Sequence, residues 1–189
     1  SIFFKQNLEN FNFNNTKISS DNNFSFKINK KLKINDFSLK SKVNLDKLNY
    51  KIDTAKIHNY IPNYNGFIDF EDHEIEVSIK KKKLSIKGAG SYLIDTHLEK
   101  INYDIINKDG NLKFQSKINI NKNPLYLEFL NYKKKENENS TLFIDGEYQK
   151  DKTLLFKKIS LNDSKNIFLI DNLSLSKDLK INNFKLIDL

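Results

Sequence analysis

His58, His73 and His97 are the only side chains of this chain whose ordinary titration falls near neutral pH. They are therefore where acid–base or metal chemistry would have to begin. The densest acidic neighbourhood is Glu71-Asp72-His73-Glu74. In an extended segment consecutive side chains point to opposite faces, so these four converge on one ion only if a turn gathers them. Asp95-Thr96-His97 sets an acid beside a base, but no nucleophile elbow accompanies it, and closeness in sequence is not the geometry of a nucleophilic site. The 24 acidic residues offer many carboxylate pairs for glycoside hydrolysis, and nothing selects one of them. Cysteine is absent, which removes disulfides, thiolate metal sites and a cysteine nucleophile. Gly88-Ala89-Gly90 lacks the spacing and the following Lys-Ser/Thr of a phosphate-cradling loop, and inside a strand pattern it marks a bulge or sharp bend. The expectation is a protein that is not an enzyme, with no catalytic residue, no metal site and no cofactor.

A formal charge of +8 raises nucleic acid or an anionic surface as partners. Every one of the 32 basic residues is Lys, however, and the guanidinium fork used for bidentate readout of guanine or phosphate is missing. Nucleic acid is therefore not expected as a partner. The 28 Asn, with the many Lys, Ile, Phe and Tyr, give the basic charge a compositional explanation.

The elements that must carry any function show in a two-residue rhythm. Apolar side chains fall at Phe24, Phe26 and Ile28, then at Val43 and Leu45, and alternate with Lys, Asn, Asp and Ser. That period is a strand's and not a helix's. Alternating runs cover 7–13, 23–29, 31–41, 42–53, 66–70, 74–80, 83–88, 91–95, 100–106, 111–119, 125–132, 141–148, 154–161, 165–175 and 179–186. About fifteen strands in a meander exceed what an open sheet holds without curling. With 38% apolar and 30% charged residues, the expected sheet keeps one face greasy and one wet. The fold class is all-β: a long, twisted antiparallel meander curled into an open, taco-like groove, with residues 1–189 as one continuous segment.

Turn chemistry supports the breaks. Asp109-Gly110 is a strong hairpin signal. Lys80 to Lys83 reads as a solvated hairpin tip or, more sharply, a basic membrane-docking finger, and Lys133 to Asn139 reads as a second charged loop. Between Asp53 and Asn65 the spacing of Ile57, Tyr60 and Ile61 changes to three and four before Pro62, which predicts a short helix near 54–62 or an irregular cap. The opening Ser1 and an alternating run that ends in mid-pattern suggest a piece of a longer chain. No stretch approaches the roughly 20 apolar residues of a spanning helix.

The run from Leu84 to Asp95, with its Gly88-Ala89-Gly90 bend, resembles the strand, small-residue bend, strand element of the AsmA-like superfamily, which includes the TamB and YhdP types. Phe129 to Lys133, Ile144 to Tyr148 and the meander from Leu154 to Leu189 are similar to periplasmic repeats of the YhdP-like members. The resemblance implies an internal or C-terminal segment of a periplasmic β-groove protein, held to the inner membrane by a helix elsewhere in its parent. It also implies a role in outer-membrane biogenesis: bridge-like transfer of phospholipid, whose acyl chains are shielded in the groove.

With the strands in register, the groove-lining residues are Phe26, Ile28, Leu32, Ile34, Val43, Leu45, Ile75, Val77, Ile79, Leu84, Ile86, Ile101, Tyr103, Ile105, Leu112, Phe114, Ile118, Leu127, Phe129, Leu142, Ile144, Leu173 and Leu175. A one-residue slip would invert any of these strands. The competing expectation is a structural or adhesive module, a sandwich with a sealed apolar core and no cargo. An outer-membrane barrel is disfavoured by the absence of Trp and by the Lys-dense loops.

Overall fold

A computed structural model describes residues 10–52, 58–62, 64–127, 132–149, 153–163, 167–176 and 180–188. Among them run thirteen strands: β1 (Phe11–Ile28), β2 (Ile34–Lys51), β3 (Phe67–Lys80), β4 (Lys83–Ile94), β5 (His97–Lys108), β6 (Asn111–Asn119), β7 (Leu125–Leu127), β8 (Tyr132–Lys134), β9 (Ser140–Tyr148), β10 (Leu154–Asp163), β11 (Ile167–Leu175), β12 (Ile181–Asn183) and β13 (Leu186–Asp188). Eleven form one antiparallel sheet in the order β1-β2-β3-β4-β5-β6-β9-β10-β11-β12, with β13 also on β11. β1 and β12 are not paired with each other, so the meander stays open and does not close into a barrel. The short hairpin β7–β8 interrupts the meander between β6 and β9 as a separate two-stranded sheet.

Hairpin turns set the register. Lys81 and Lys82 both take positive φ, 48° and 61°, and join β3 to β4 through the pair Lys80–Lys83. Asp109 (φ 51°) and Gly110 (φ 82°) do the same between β5 and β6. Both are two-residue loops of the kind whose backbone twist matches that of the flanking strands. The first hairpin turns at Asn29, whose Oδ1 accepts from the backbone N–H of Lys31 at 2.9 Å and Lys33 at 3.0 Å.

Several expected boundaries change. The runs 31–41 and 42–53 meet in one strand, β2, in which Ser41 and Lys42 pair without a register shift to Asn22 and Asp21 on one side and to Val77 and Glu76 on the other; β3 likewise merges 66–70 with 74–80, and β4 merges 83–88 with 91–95. In β3 the merger works through a bulge at Asp72 (φ 52°), where the register to β4 shifts between Glu71 and Glu74. The helix expected near 54–62 does not form over 58–62, which make turns; residues 53–57 lie outside the described residues. Among the described residues no helix is long and apolar enough to cross a membrane.

Residues directly opposite in antiparallel neighbours share a face. Following the register across the sheet, Val43 faces Ile75, then come Gly88, Tyr103, Ser116, Ile144, Ile159 and Ile170 in one row. One position along, Lys42, Glu76, Lys87, Asp104, Gln115 and Asp145 make a row on the opposite face. Ion pairs sit on this wet side, their carboxylates half-buried: Lys157–Glu147 at 2.9 Å and Lys47 with Asp69 at 3.0 Å and Glu71 at 3.4 Å.

Candidate functional site

The apolar face divides into a covered end and an uncovered middle. At the covered end Tyr64, Tyr92 and Ile94 form one buried cluster, and Ile120, Leu125, Leu161 and Phe168 form another; Ile61 and Ile118 pack against both. The covering chain is the irregular stretches 58–62 and 64–66 together with β7 and β8. The two parts are joined by the Tyr126 N–H donating to the Tyr60 carbonyl at 2.9 Å.

Polar groups fasten this cap. The Tyr64 hydroxyl donates to the Ile52 carbonyl at 3.0 Å, Tyr92 to that of Asn119 at 2.6 Å, and Tyr132 to the Asp163 carboxylate at 2.6 Å. Burial raises the pKa of Tyr92 and Tyr132. Lys134 is fully buried, and its ammonium donates to the carbonyls of Asn121, Asn123 and Lys135 at 3.1, 2.7 and 2.8 Å. Desolvation lowers its pKa. The charged loop expected over Lys133 to Asn139 is thus corrected at one position: three convergent carbonyls draw Lys134 inward. The buried Glu99 carboxylate accepts from the Lys122 N–H and, at 3.3 Å, from Asn121 Nδ2.

Beyond the cap the same face holds a trough of about 520 Å³, lined by Leu45, Leu48, Phe70, His73, Ile75, Ile101, Tyr103, Ile105, Leu112, Phe114, Gln115 and Ser116. Ile75, Ile105, Leu112 and Phe114 stay half-buried and belong to neither cluster of the cap, whereas Phe70 and Ile101, where the trough meets the cap, pack against the Tyr64–Tyr92–Ile94 cluster. The volume falls within the range of small-molecule sites. Two glycines shape its floor. A side chain at Gly88 would stand 2.4 Å from the Tyr103 ring, and one at Gly90 would stand 2.3 Å from the His73 ring. Without Cβ atoms, β4 lets both rings lie against it. Gly90 also lies opposite the bulge of β3, so the cluster expected to mark a bulge does so on the neighbouring strand.

His73 is buried, with Phe70 edge-on at 5.6 Å. Its Nε2 lies 2.9 Å from the Ser91 carbonyl and its Nδ1 3.2 Å from the Tyr103 hydroxyl. Burial lowers its pKa, against opposing effects of the Ser91 carbonyl and Asp72, with Lys100 adding to the lowering. The acids beside it in sequence diverge: Glu71 reaches Lys47 on the wet side, and Glu74 is exposed. Among the described residues no group of three His, Asp or Glu is placed to hold a metal ion.

The register puts Val43, Leu45, Ile75, Val77, Ile79, Leu84, Ile86, Ile101, Tyr103, Ile105, Leu112, Phe114, Ile118, Leu142, Ile144, Leu173 and Leu175 on the apolar face. Ile118 and Leu142 lie beneath the cap rather than in the open. Phe26, Ile28 and Ile34 sit at the far end of the β1–β2 hairpin and are exposed; Phe26 stacks on Phe24 at 6.4 Å. Leu32 is a correction: it occupies the turn of that hairpin with φ 59° and is 85% exposed, so it lines nothing. Leu127 is another, since it belongs to the covering strand β7 and packs down onto the second cluster. Phe129 lies outside the described residues. Phe70, and Leu48 paired with it, were missed because the bulge at Asp72 switches the inward set from odd to even positions, a switch that alternation alone does not display; His73 keeps the parity of Ile75 and was weighed only for metal or acid–base chemistry.

Comparison of the chain with protein families, with curated proteins and with solved structures gives no match.

Proposed function

We propose that this chain is a segment of a bridge-like lipid-transfer protein, which shields phospholipid acyl chains in its apolar trough as they cross the periplasm. The observation that carries the reading is the half-buried apolar surface between β2 and β6, uncovered over a sheet whose edges stay open. Hydrocarbon laid on such a surface gains about 0.8 kcal/mol per methylene removed from water. Aliphatic contacts are non-directional, so a chain can slide along the trough without breaking specific bonds, and no catalytic group is needed. The resemblance to AsmA-like groove proteins supports the same role, with the membrane contacts supplied by other parts of the parent.

Native mass spectrometry of the purified chain tests this. Bound phospholipid is expected on the parent chain and not on Val77→Asp, while circular dichroism of both remains β-rich. Equal lipid on both, or none on either, contradicts the reading. A second reading, a scaffold module with a sealed core, draws its support from the capped end, where Leu161 and Phe168 are buried by the chain itself.

A further inference from the structure

Of the four polar residues that line the trough, Gln115 belongs to the row of the opposite face with Asp104 and Asp145, and the Ser116 hydroxyl already donates to the Asn102 carbonyl at 3.1 Å; the arrangement of the other two, His73 and Tyr103, restricts what can lie beside them. The Ser91 carbonyl can only accept, so the His73 nitrogen 2.9 Å from it, Nε2, must carry hydrogen. In the neutral imidazole, the form that burial favours, Nδ1 is then an acceptor. The Tyr103 hydroxyl, 3.2 Å away, donates to it and has no hydrogen left to offer. What Tyr103 presents to the trough is an oxygen with unused lone pairs and no donor. The two rings are held there by Gly88 and Gly90, where any Cβ would collide with them. The pair is therefore built into the sheet.

We propose that the trough prefers an amphiphile whose hydrocarbon chain ends in a hydrogen-bond donor, a long-chain alcohol or the free hydroxyl of an acylglycerol, seated on the Tyr103 oxygen. A head with no donor hydrogen, such as a methyl ether or a carboxylate, brings only lone pairs to face lone pairs and loses the bond it had with water. This rests on the reading that the trough accepts hydrocarbon, and it adds the polarity of the head group.

The test is displacement of a nonpolar fluorophore from the full chain by 1-tetradecanol and by its methyl ether, repeated on Tyr103→Phe. The alcohol is expected to bind about fivefold more tightly than the ether, the range of a single neutral hydrogen bond, and Tyr103→Phe is expected to bind both equally. Equal binding to the parent chain overturns the head-group preference and leaves the hydrocarbon trough standing. A preference that survives in Tyr103→Phe also overturns it. Failure of both compounds to displace the fluorophore overturns both readings. Imidazole nitrogen NMR of the unliganded chain gives an independent readout: His73 is expected as the Nε2–H tautomer, and an Nδ1–H tautomer contradicts the assignment.

Discussion

The two halves of one apolar face behave differently although they share strands. On β4 and β6, and at Ile120 just past β6, the residues Tyr92, Ile94, Ile118 and Ile120 are packed with the stretches 58–62 and 64–66 and the β7–β8 hairpin. A few residues along the same strands Ile105, Leu112 and Phe114 have no cover. Composition does not separate them, since both stretches are built of Ile, Leu and aromatic residues. What separates them is the polar fastening around the cap, with a buried ammonium, a buried carboxylate and three tyrosine hydroxyls each given partners. Buried polar groups of this kind are tolerated only when satisfied, and once satisfied they hold one arrangement. The uncovered half has the His73–Tyr103 pair and the Ser116 hydroxyl donating to the Asn102 carbonyl, neither of which ties a second segment over it. A sealed core and an accessible trough can thus be made from one pattern of alternation, and the difference lies in whether a second segment is tied down over it.

The largest expected contrast is in stability. Leu161 is 2% exposed within the cap cluster, and Leu161→Ala should cost about 2–5 kcal/mol in urea unfolding. Leu112→Ala, at a half-buried trough position, should cost distinctly less. Equal losses would mean that the trough is as closed as the core. Next is the fastening itself: Lys134→Met leaves the carbonyls of Asn121, Asn123 and Lys135 without their shared donor, an expected loss of about 1–3 kcal/mol. Faster hydrogen exchange confined to the cap should accompany it. Gly88→Val forces Tyr103 off the floor, and overpacking of this kind costs about 1–3 kcal/mol; His73 should then lose its hydroxyl partner, visible in its ring resonances.

The smallest effect is acid sensitivity. Burial holds the folded-state pKa of His73 below its ordinary 6.5, so the folded chain takes up this proton less readily than the unfolded chain. Its stabilising effect is complete above 6.5 and declines as pH falls through 6.5 toward the lowered value. Urea midpoints at pH 7 and pH 5 should show a smaller acid decline in His73→Gln than in the parent chain. An unchanged decline would place the imidazole in water.

Much of this architecture is legible in the sequence where alternation is local. The strands from Lys83 to Asn119 and their two-residue turns, Lys81-Lys82 and Asp109-Gly110, follow from period-two patterning and turn chemistry. The irregular cap is visible only as a break in period around Tyr60 and Ile61, because what it covers depends on contacts distant in sequence. Leu32 was misassigned despite a readable sign, since Asn29 is a residue that bonds its own backbone in turns. Lys134 gives no sign, because a buried ammonium is specified by carbonyls that only the fold brings together.

The central claim is that the apolar face between β2 and β6 receives hydrocarbon. Titration of a nonpolar fluorophore into the parent chain, Val77→Asp and Ser78→Asp tests it most directly, since these neighbours lie on opposite faces of β3. Saturable binding is expected to persist in Ser78→Asp and to weaken tenfold or more in Val77→Asp, roughly what one buried charge imposes on an apolar site. Equal binding by the two variants, or none by the parent chain, would contradict it.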